Sequence, residues 1–112
     1  LKSFDDNFYA KYCGGKLQPV LETLKGIKSK KIWVEITTLI IPGLNDSEEN
    51  LKKIALFIKK ELGAEIPWHI SRFFGSVSWK LKNIPDTPVK TLKLAEKIAR
   101  KTGLKNIHIG NI

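Results

Sequence analysis

In the middle of the chain, apolar residues recur at the three- and four-residue spacing of an α-helix. The stripe stops at Gly63, and Asp46 and Glu49 precede it at the spacing of a capping box. Glycine is common just beyond a helix end because it adopts a positive φ without steric cost. The pattern therefore predicts a helix near 47–62.

A second helical pattern lies near the C-terminus. Thr87 is a favourable cap, Pro88 fits the first helical position, and Gly103 follows the last helical residue. The face opposite the apolar stripe carries Lys90, Lys93, Lys97, Arg100 and Lys101. The pattern predicts a helix near 88–102. Leucine spacing around Pro19 predicts a shorter helix, and a helical turn is expected around 8–12.

Three segments, at 32–41, 66–71 and 106–109, have the apolar composition of buried strands. A continuous apolar, β-branched run such as the first is typical of a parallel strand that is covered on both faces. Helices and strands alternate along the chain, and each connection is long enough for a crossover. The predicted fold class is therefore α/β, with a small parallel β-sheet and helices packed against it.

Alternation along the first strand separates two kinds of side chain. One face carries Ile32, Val34, Ile36 and Thr38, and the other carries Trp33, Glu35, Thr37 and Leu39. The aliphatic face is expected to meet the helices. The face with Glu35 and Thr37 is expected to look into a cleft or a barrel lumen, because an unpartnered carboxylate is costly to bury.

The length and composition fit a single domain over 1–112. The 112 residues are 42% hydrophobic, which excludes a disordered chain, and they are too few for two cores. No apolar run approaches the ~18 residues that cross a bilayer, and the lone Cys13 excludes an intrachain disulfide framework. We expect a cytoplasmic protein. Because the chain has no methionine and begins with Leu1, we also expect it to be part of a longer protein.

The net charge of +9 comes from 20 Lys and Arg residues against 11 Asp and Glu residues. Such an excess is compatible with a nucleic-acid partner or with a lysine-coated, solvated helix surface. The lysines of the 88–102 helix lie opposite its apolar stripe, as on any solvated helix. This distribution favours the second interpretation.

Ligands of parallel α/β folds bind beyond the carboxyl ends of the strands, which here means 42–46, 71–75 and 110–111. His69 lies within a predicted strand, where a histidine is more often a hydrogen-bonded core residue than a ligand or base, and His108 is interpreted in the same way. Glu35 is more often a paired structural carboxylate than a catalytic one. No metal-binding cluster, catalytic triad or phosphate-binding glycine loop can be assembled from these residues alone.

A collinear set of motifs carries a resemblance across nearly the whole chain. The motifs are Leu1-Lys2-Ser3-Phe4-Asp5, Tyr12-Cys13-Gly14-Gly15, Trp33-Val34-Glu35, Ile41-Pro42-Gly43-Leu44-Asn45-Asp46, Pro67-Trp68-His69-Ile70-Ser71-Arg72-Phe73, Thr87-Pro88 and Ile109-Gly110-Asn111. The set resembles the C-terminal half of radical SAM proteins similar to pyruvate formate-lyase activating enzymes, in the AmmeMemoRadiSam branch. The resemblance implies that the sheet is a fragment of a partial (β/α)6, TIM-like barrel.

The resemblance also implies cofactors for the longer parent protein. In this family a [4Fe-4S] cluster, held by the three cysteines of a CxxxCxxC motif, reductively cleaves S-adenosylmethionine to a 5′-deoxyadenosyl radical. Cys13 lies outside such a motif. The chain alone is therefore expected to bind neither cofactor and to be inactive, whereas the parent is expected to be an oxidoreductase acting on a protein or small-molecule substrate.

Few site residues carry over from the family. Lys2 matches the lysine of an Asp-Leu-Lys element near the methionine part of the cofactor, and His69 matches the cofactor-contacting histidine of the sixth strand. Thr37 or Glu35 stands where activating enzymes carry an inward arginine. The stretch 75–79 departs from the family pattern.

Three further hypotheses concern function and partners. The rival to the radical SAM hypothesis is a basic α/β module that binds RNA or another polyanion, and a radical SAM enzyme of different chemistry, such as tRNA modification, shares the fold. Without the rest of a barrel, two copies are expected to associate through the exposed sheet, burying Trp33 or Trp68. No membrane partner is expected.

Overall fold

The computed structural model describes residues 1, 9, 16–29, 33–75 and 83–110. Predictions for Lys2, Cys13, the stretch 76–79 and Asn111 lie outside the described residues, as does most of the helical turn expected around 8–12. The elements, in chain order, are α1 (Leu17–Ser29), β1 (Ile36–Ile40), α2 (Glu48–Phe57) continued by a π-helical turn (Ile58–Leu62), β2 (Trp68–Arg72), α3 (Val89–Thr102) and β3 (Ile107–Gly110).

The three strands form one parallel sheet in the order β1-β2-β3, which confirms the predicted fold class. Thr37 pairs in register with His69, and His69 pairs with His108. The strands are displaced from their predicted bounds, most of all β1, which spans five residues where ten were predicted. The ladder with β2 begins at Ile36, whose N–H donates to the carbonyl of Pro67 at 2.9 Å.

The core lies between the sheet and the helices. Ile36, Ile40, Trp68 and Ile70 point from the sheet into it, as the alternation in β1 predicts. The helices contribute Leu21, Leu51, Ile54, Ala55, Phe57, Leu92, Ala95, Ile98 and Ala99. The prediction that both faces of β1 are covered is wrong, because Thr37 and Leu39 are exposed.

Both predicted helix caps are wrong by one residue. Ser47 caps α2, with its hydroxyl accepting from the Asn50 N–H at 3.1 Å, while Asp46 accepts from the N–H of Gly43 at 3.0 Å. Pro88 is the cap residue of α3 and makes no side-chain cap bond. The Thr87 hydroxyl is instead used elsewhere, because it accepts from Phe73 N–H and donates to a carbonyl of β1.

The predicted helix ends are confirmed at both glycines. Gly63 has φ 123° and Gly103 has φ 104°, values that favour glycine. The Gly63 N–H donates to the carbonyl of Ile58 at 2.8 Å, a five-residue bond that closes the π-helical turn. Within the described ranges, no helix combines the length and the apolar composition that crossing a membrane requires.

Candidate functional site on the open sheet face

The sheet face turned away from the helices carries both histidines of the chain, together with a glutamate, a serine and a threonine. We call it the open sheet face, and it consists of Trp33, Glu35, Thr37, Leu39, His69, Ser71 and His108. Trp33 is 62% exposed and Leu39 is 39% exposed, so the face is accessible as well as polar. Alternation along each strand places these side chains together, since every second residue points to the same side.

Glu35 and His69 form the closest polar pair on this face. The Nε2 atom of His69 lies 2.6 Å from the Oε1 atom of Glu35, and the indole N–H of Trp33 donates to Oε2 at 3.4 Å. The hydrogen bond with His69, followed by that from Trp33, lowers the pKa of Glu35 below its ordinary value. Glu35 is therefore a partnered carboxylate, although it is exposed.

His108 lies beside His69 on the neighbouring strand. The two imidazole rings stack with their centroids 4.9 Å apart and their planes inclined by 20°. The contact follows from the register, because His69 and His108 are direct partners in the parallel ladder. Two cationic rings at this distance would repel each other, and the carboxylate of Glu35 offsets such charge on the His69 side.

The structure thus brings together three of the four predicted cofactor-contacting residues. Thr37 is the register partner of His69, and Glu35 reaches the same imidazole from two residues earlier on the chain. Lys2 lies outside the described residues. Among the residues that the structure does describe, no three His, Cys, Asp or Glu side chains could hold a metal ion.

The segment after β1, predicted as a possible ligand loop, is occupied by structural hydrogen bonds. The side-chain oxygen of Asn45 accepts from the N–H of Ile41 at 2.7 Å, and its amide nitrogen donates to the carbonyl of Leu39 at 2.8 Å. Asn50 donates in turn to the carbonyl of Asn45 at 2.7 Å. Buried Asn45 therefore shapes the turn and leads the chain into α2.

The segment after β2 is also tied to its surroundings. The Nε–H of Arg72 donates to the carbonyl of Thr87 at 2.7 Å, and its guanidinium lies 5.0 Å from the centre of the Phe74 ring. Gly75 donates its N–H to Asp86 at 2.9 Å. These bonds join the last residue of β2 and the residues that follow it to the residues that directly precede α3.

His108 was not selected as a site residue from the sequence, although a signal was present. Both β2 and β3 place a histidine directly before an isoleucine, His69-Ile70 and His108-Ile109. Aligning these two dipeptides gives the observed register, in which the isoleucines enter the core side and the histidines share the open side. The Glu35–His69 contact left no comparable signal, because the ladder partner of His69 in β1 is Thr37 and not Glu35.

The described structure is a parallel α/β unit with helices on one side and an open sheet face on the other. This fold is similar to that of a solved domain of the pyruvate-formate lyase-activating enzyme from Bacteroides vulgatus, with a TM-score of 0.84 over 99% of this chain and 64% of that chain. The sequence identity is 18%, so this likeness shows the fold. The resemblance inferred from the sequence motifs is thereby confirmed at the level of architecture.

A sequence relative is found in Methanocaldococcus jannaschii. This chain is 46% identical over 106 residues to the uncharacterized protein MJ0808 of that organism. The match covers 95% of this chain and 31% of the relative, so the chain spans about a third of the length of the curated relative that it matches. No family model matches the chain.

Proposed function

We propose that this chain forms the C-terminal part of a radical SAM barrel in a longer protein and that its open sheet face helps to bind S-adenosylmethionine. The observation that carries the proposal is the placement of His69, which is held by Glu35 on the accessible face of the central strand. The similarity in fold to an activating-enzyme domain and the motif resemblance around His69 support it.

The residues of the open sheet face fit S-adenosylmethionine, which carries an ammonium group, a sulfonium centre and ribose hydroxyls. A carboxylate such as Glu35 attracts the cationic groups and accepts from hydroxyls, and imidazole nitrogens bond to hydroxyl or carboxylate groups. Glu35 and His69 would hold the cofactor, and His108 would keep the ring of His69 in place by stacking. When bound beside a reduced cluster in this family, the cofactor is the source of the hydrogen-abstracting radical.

The chain does not fit the iron–sulfur cluster. A cubane cluster needs several cysteine thiolates, and the sequence has a single cysteine, Cys13. The cluster ligands would therefore come from another part of the longer protein. We expect this chain alone to bind no iron after anaerobic reconstitution, whereas the longer M. jannaschii relative should bind iron and sulfide under the same treatment.

The chain alone is not expected to retain the cofactor, but backbone NMR detects weak contacts, so titration of the labelled chain with excess S-adenosylmethionine tests the contact itself. Shift changes should concentrate in 33–39, 69–71 and 107–110 and should be lost in the His69→Ala variant. Arginine in excess, a cation without the sulfonium or nucleoside, serves as the control ligand. Shift changes centred on the helices, or an unaltered response in His69→Ala, would contradict the proposed role of the open sheet face.

The rival function, a basic module for RNA or another polyanion, retains one favourable observation. Lys90, Lys93, Lys97 and Lys101 are all exposed along α3. Phosphate binding weakens steeply with salt because condensed counterions are released. The rival would be favoured if generic RNA binds at low salt and the logarithm of the binding constant falls steeply with the logarithm of the salt concentration. Absence of binding at low salt would remove it.

A further inference from the structure

A groove of about 470 Å³ lies between α2 and α3. None of the residues that line it belongs to the open sheet face. Its walls come from one side of each helix. The residues that define it are Lys52, Leu56, Leu94, Lys97, Ile98 and Lys101, and we call it the α2–α3 groove.

The floor of the groove is apolar and accessible. Leu56 is 43% exposed and Leu94 is 37% exposed, and Ile98 continues the floor down to the core. Among the described residues, the other exposed large apolar side chains, Trp33 and Leu39, belong to the open sheet face. Exposed apolar surface that is rimmed by polar groups is a common mark of an interaction site.

The rim of the groove is cationic. Lys52 pairs with Glu48 at 3.1 Å, which neutralises one rim lysine. Lys97 and Lys101 are exposed and form no ion pair within the described part of the chain. A partner must therefore present apolar side chains to the floor and negative charge to the α3 rim.

The dimensions of the groove select the form of that partner. Its α2 wall extends from Glu48 to Leu56, which at ~1.5 Å per residue corresponds to ~12 Å, or about two helical turns. A concave groove of this length accepts apolar side chains from successive turns of a helix. A membrane surface is flat and would leave the floor uncovered.

We propose that the α2–α3 groove docks an acidic amphipathic helix of a partner protein. Leucine-sized side chains of that helix would occupy the space beside Leu56 and Leu94, and its carboxylates would face Lys97 and Lys101. The proposal concerns the helix layer and does not depend on cofactor binding at the open sheet face.

The test uses fluorescent synthetic peptides of about 16 residues, because shorter isolated helices are marginal in water. One peptide has leucines at i, i+3, i+4 and i+7, glutamates at the positions that flank this stripe and alanines elsewhere, so that repulsion between carboxylates does not unfold the helix. A second has the same composition in scrambled order, and a third carries lysines in place of the glutamates. Fluorescence anisotropy should show binding of the first peptide to the whole chain, with affinity at least about tenfold above the other two, or about 1.4 kcal/mol.

Variants of the chain locate the interaction. Leu94→Asp should weaken binding of the acidic peptide at least about tenfold, and Leu94→Ala serves as a milder second variant in case the aspartate disturbs folding. The double variant Lys97→Glu/Lys101→Glu should lose the acidic peptide and gain the lysine peptide. Its matched control, Lys16→Glu/Lys90→Glu, changes net charge equally outside the groove and should bind like the unaltered chain.

Several outcomes would overturn the proposal. Equal binding of the ordered and scrambled peptides would show that charge alone acts. The same loss in the control double variant would show that no particular rim is used. Absence of binding of the acidic peptide would contradict the proposal that the groove docks a helix. If the chain instead bound to vesicles of phosphatidylglycerol and phosphatidylcholine, the lysines would be assigned to an anionic membrane surface.

Discussion

The two faces of the sheet differ in the exposure and the polarity of their side chains. On the helix side, β1 presents Ile36, Thr38 and Ile40, all 2% exposed or less. On the open side, the alternating residues are exposed and include a tryptophan, a glutamate and a threonine. Since the backbone is shared, the difference comes only from which side chain stands at each alternate position.

The treatment of polar atoms differs in the same way. On the helix side, the Thr38 hydroxyl donates to the carbonyl of Leu1 at 2.7 Å and accepts from the indole N–H of Trp68 at 3.0 Å. Within the described structure, no buried side-chain nitrogen or oxygen lacks a partner. On the open side, Glu35 and His69 pair in contact with solvent, where a ligand can compete for them. The helix side is therefore specialised for stability, and the open side is available for binding.

The sharpest test of this division compares two tryptophans. Trp68 is fully buried and Trp33 is 62% exposed. Trp68→Ala leaves a large cavity and should lower the free energy of unfolding by ~3–5 kcal/mol. Trp33→Ala should change it by no more than ~0.5 kcal/mol, as at most surface positions. Urea unfolding followed by circular dichroism measures both. Similar losses in the two variants would contradict the contrast between the faces.

Two neighbouring threonines test the role of buried hydrogen bonding. Thr38→Val removes the acceptor of the Trp68 indole N–H and should lower the free energy of unfolding by ~1–3 kcal/mol. Thr37→Val, on the open side, is the matched control and should be close to neutral.

Repeating the Thr38→Val substitution in a variant without the Trp68 indole makes the test specific for the Thr38–Trp68 hydrogen bond. With Trp68→Phe in place, the unpaired indole donor is gone, and Thr38→Val should then cost clearly less than it does beside tryptophan. Chemical unfolding of the two single variants and the double variant gives this difference. An identical cost in both backgrounds would show that the Thr38–Trp68 bond is not what stabilises the buried layer.

Local patterns in the sequence predicted the helix side of the sheet better than the contacts across it. The alternation of Ile36 and Ile40 with exposed residues was enough to assign the buried face, because strand periodicity is a local property. The prediction that Thr87 caps α3 is wrong because its hydroxyl donates to the carbonyl of Ile40, which lies 47 positions earlier in the chain. No window of sequence contains both partners of such a bond.

The candidate site shows the same limit. His69, Thr37 and Glu35 were selected individually, through family resemblance and strand parity, and the structure places them together. The stacking of His69 on His108 and its bond to Glu35 depend on the register of three strands. The repeated His-Ile dipeptides indicate the register of β2 against β3, whereas the register of β1 against β2 is set by packing of the whole core and could not be obtained from local propensity.

Association of two copies through the open sheet face remains a prediction. The structure reduces the two tryptophans that could report on it to one. Trp68 is already 0% exposed and cannot become more buried, so Trp33 is the reporter. In a variant with Trp79, which lies outside the described residues, replaced by phenylalanine, tryptophan emission should shift to shorter wavelength as concentration rises. Sedimentation should show the mass increase in parallel.

Leu39 supplies the control for that experiment. Leu39→Glu adds a charge to the same face and should keep the chain monomeric at every concentration, because each copy would have to bury an unpaired carboxylate in the contact between the two faces. A monomer with unchanged emission at the highest concentration would exclude association through this face.

The smallest expected effect concerns the ionisation of Glu35. Its pKa is lowered in the folded chain, chiefly by the hydrogen bond with His69 and then by that from Trp33. A carboxyl group whose pKa falls on folding stabilises the fold above its unfolded pKa, and this contribution is lost as pH falls through the folded pKa. Carboxyl-carbon NMR should therefore show Glu35 titrating below the ordinary pKa of a glutamate side chain. His69→Ala should move that pKa upward, whereas His108→Ala should move it less, since His108 acts on Glu35 only through its charge. An unchanged titration in His69→Ala would mean that the pair on the open sheet face does not hold in solution.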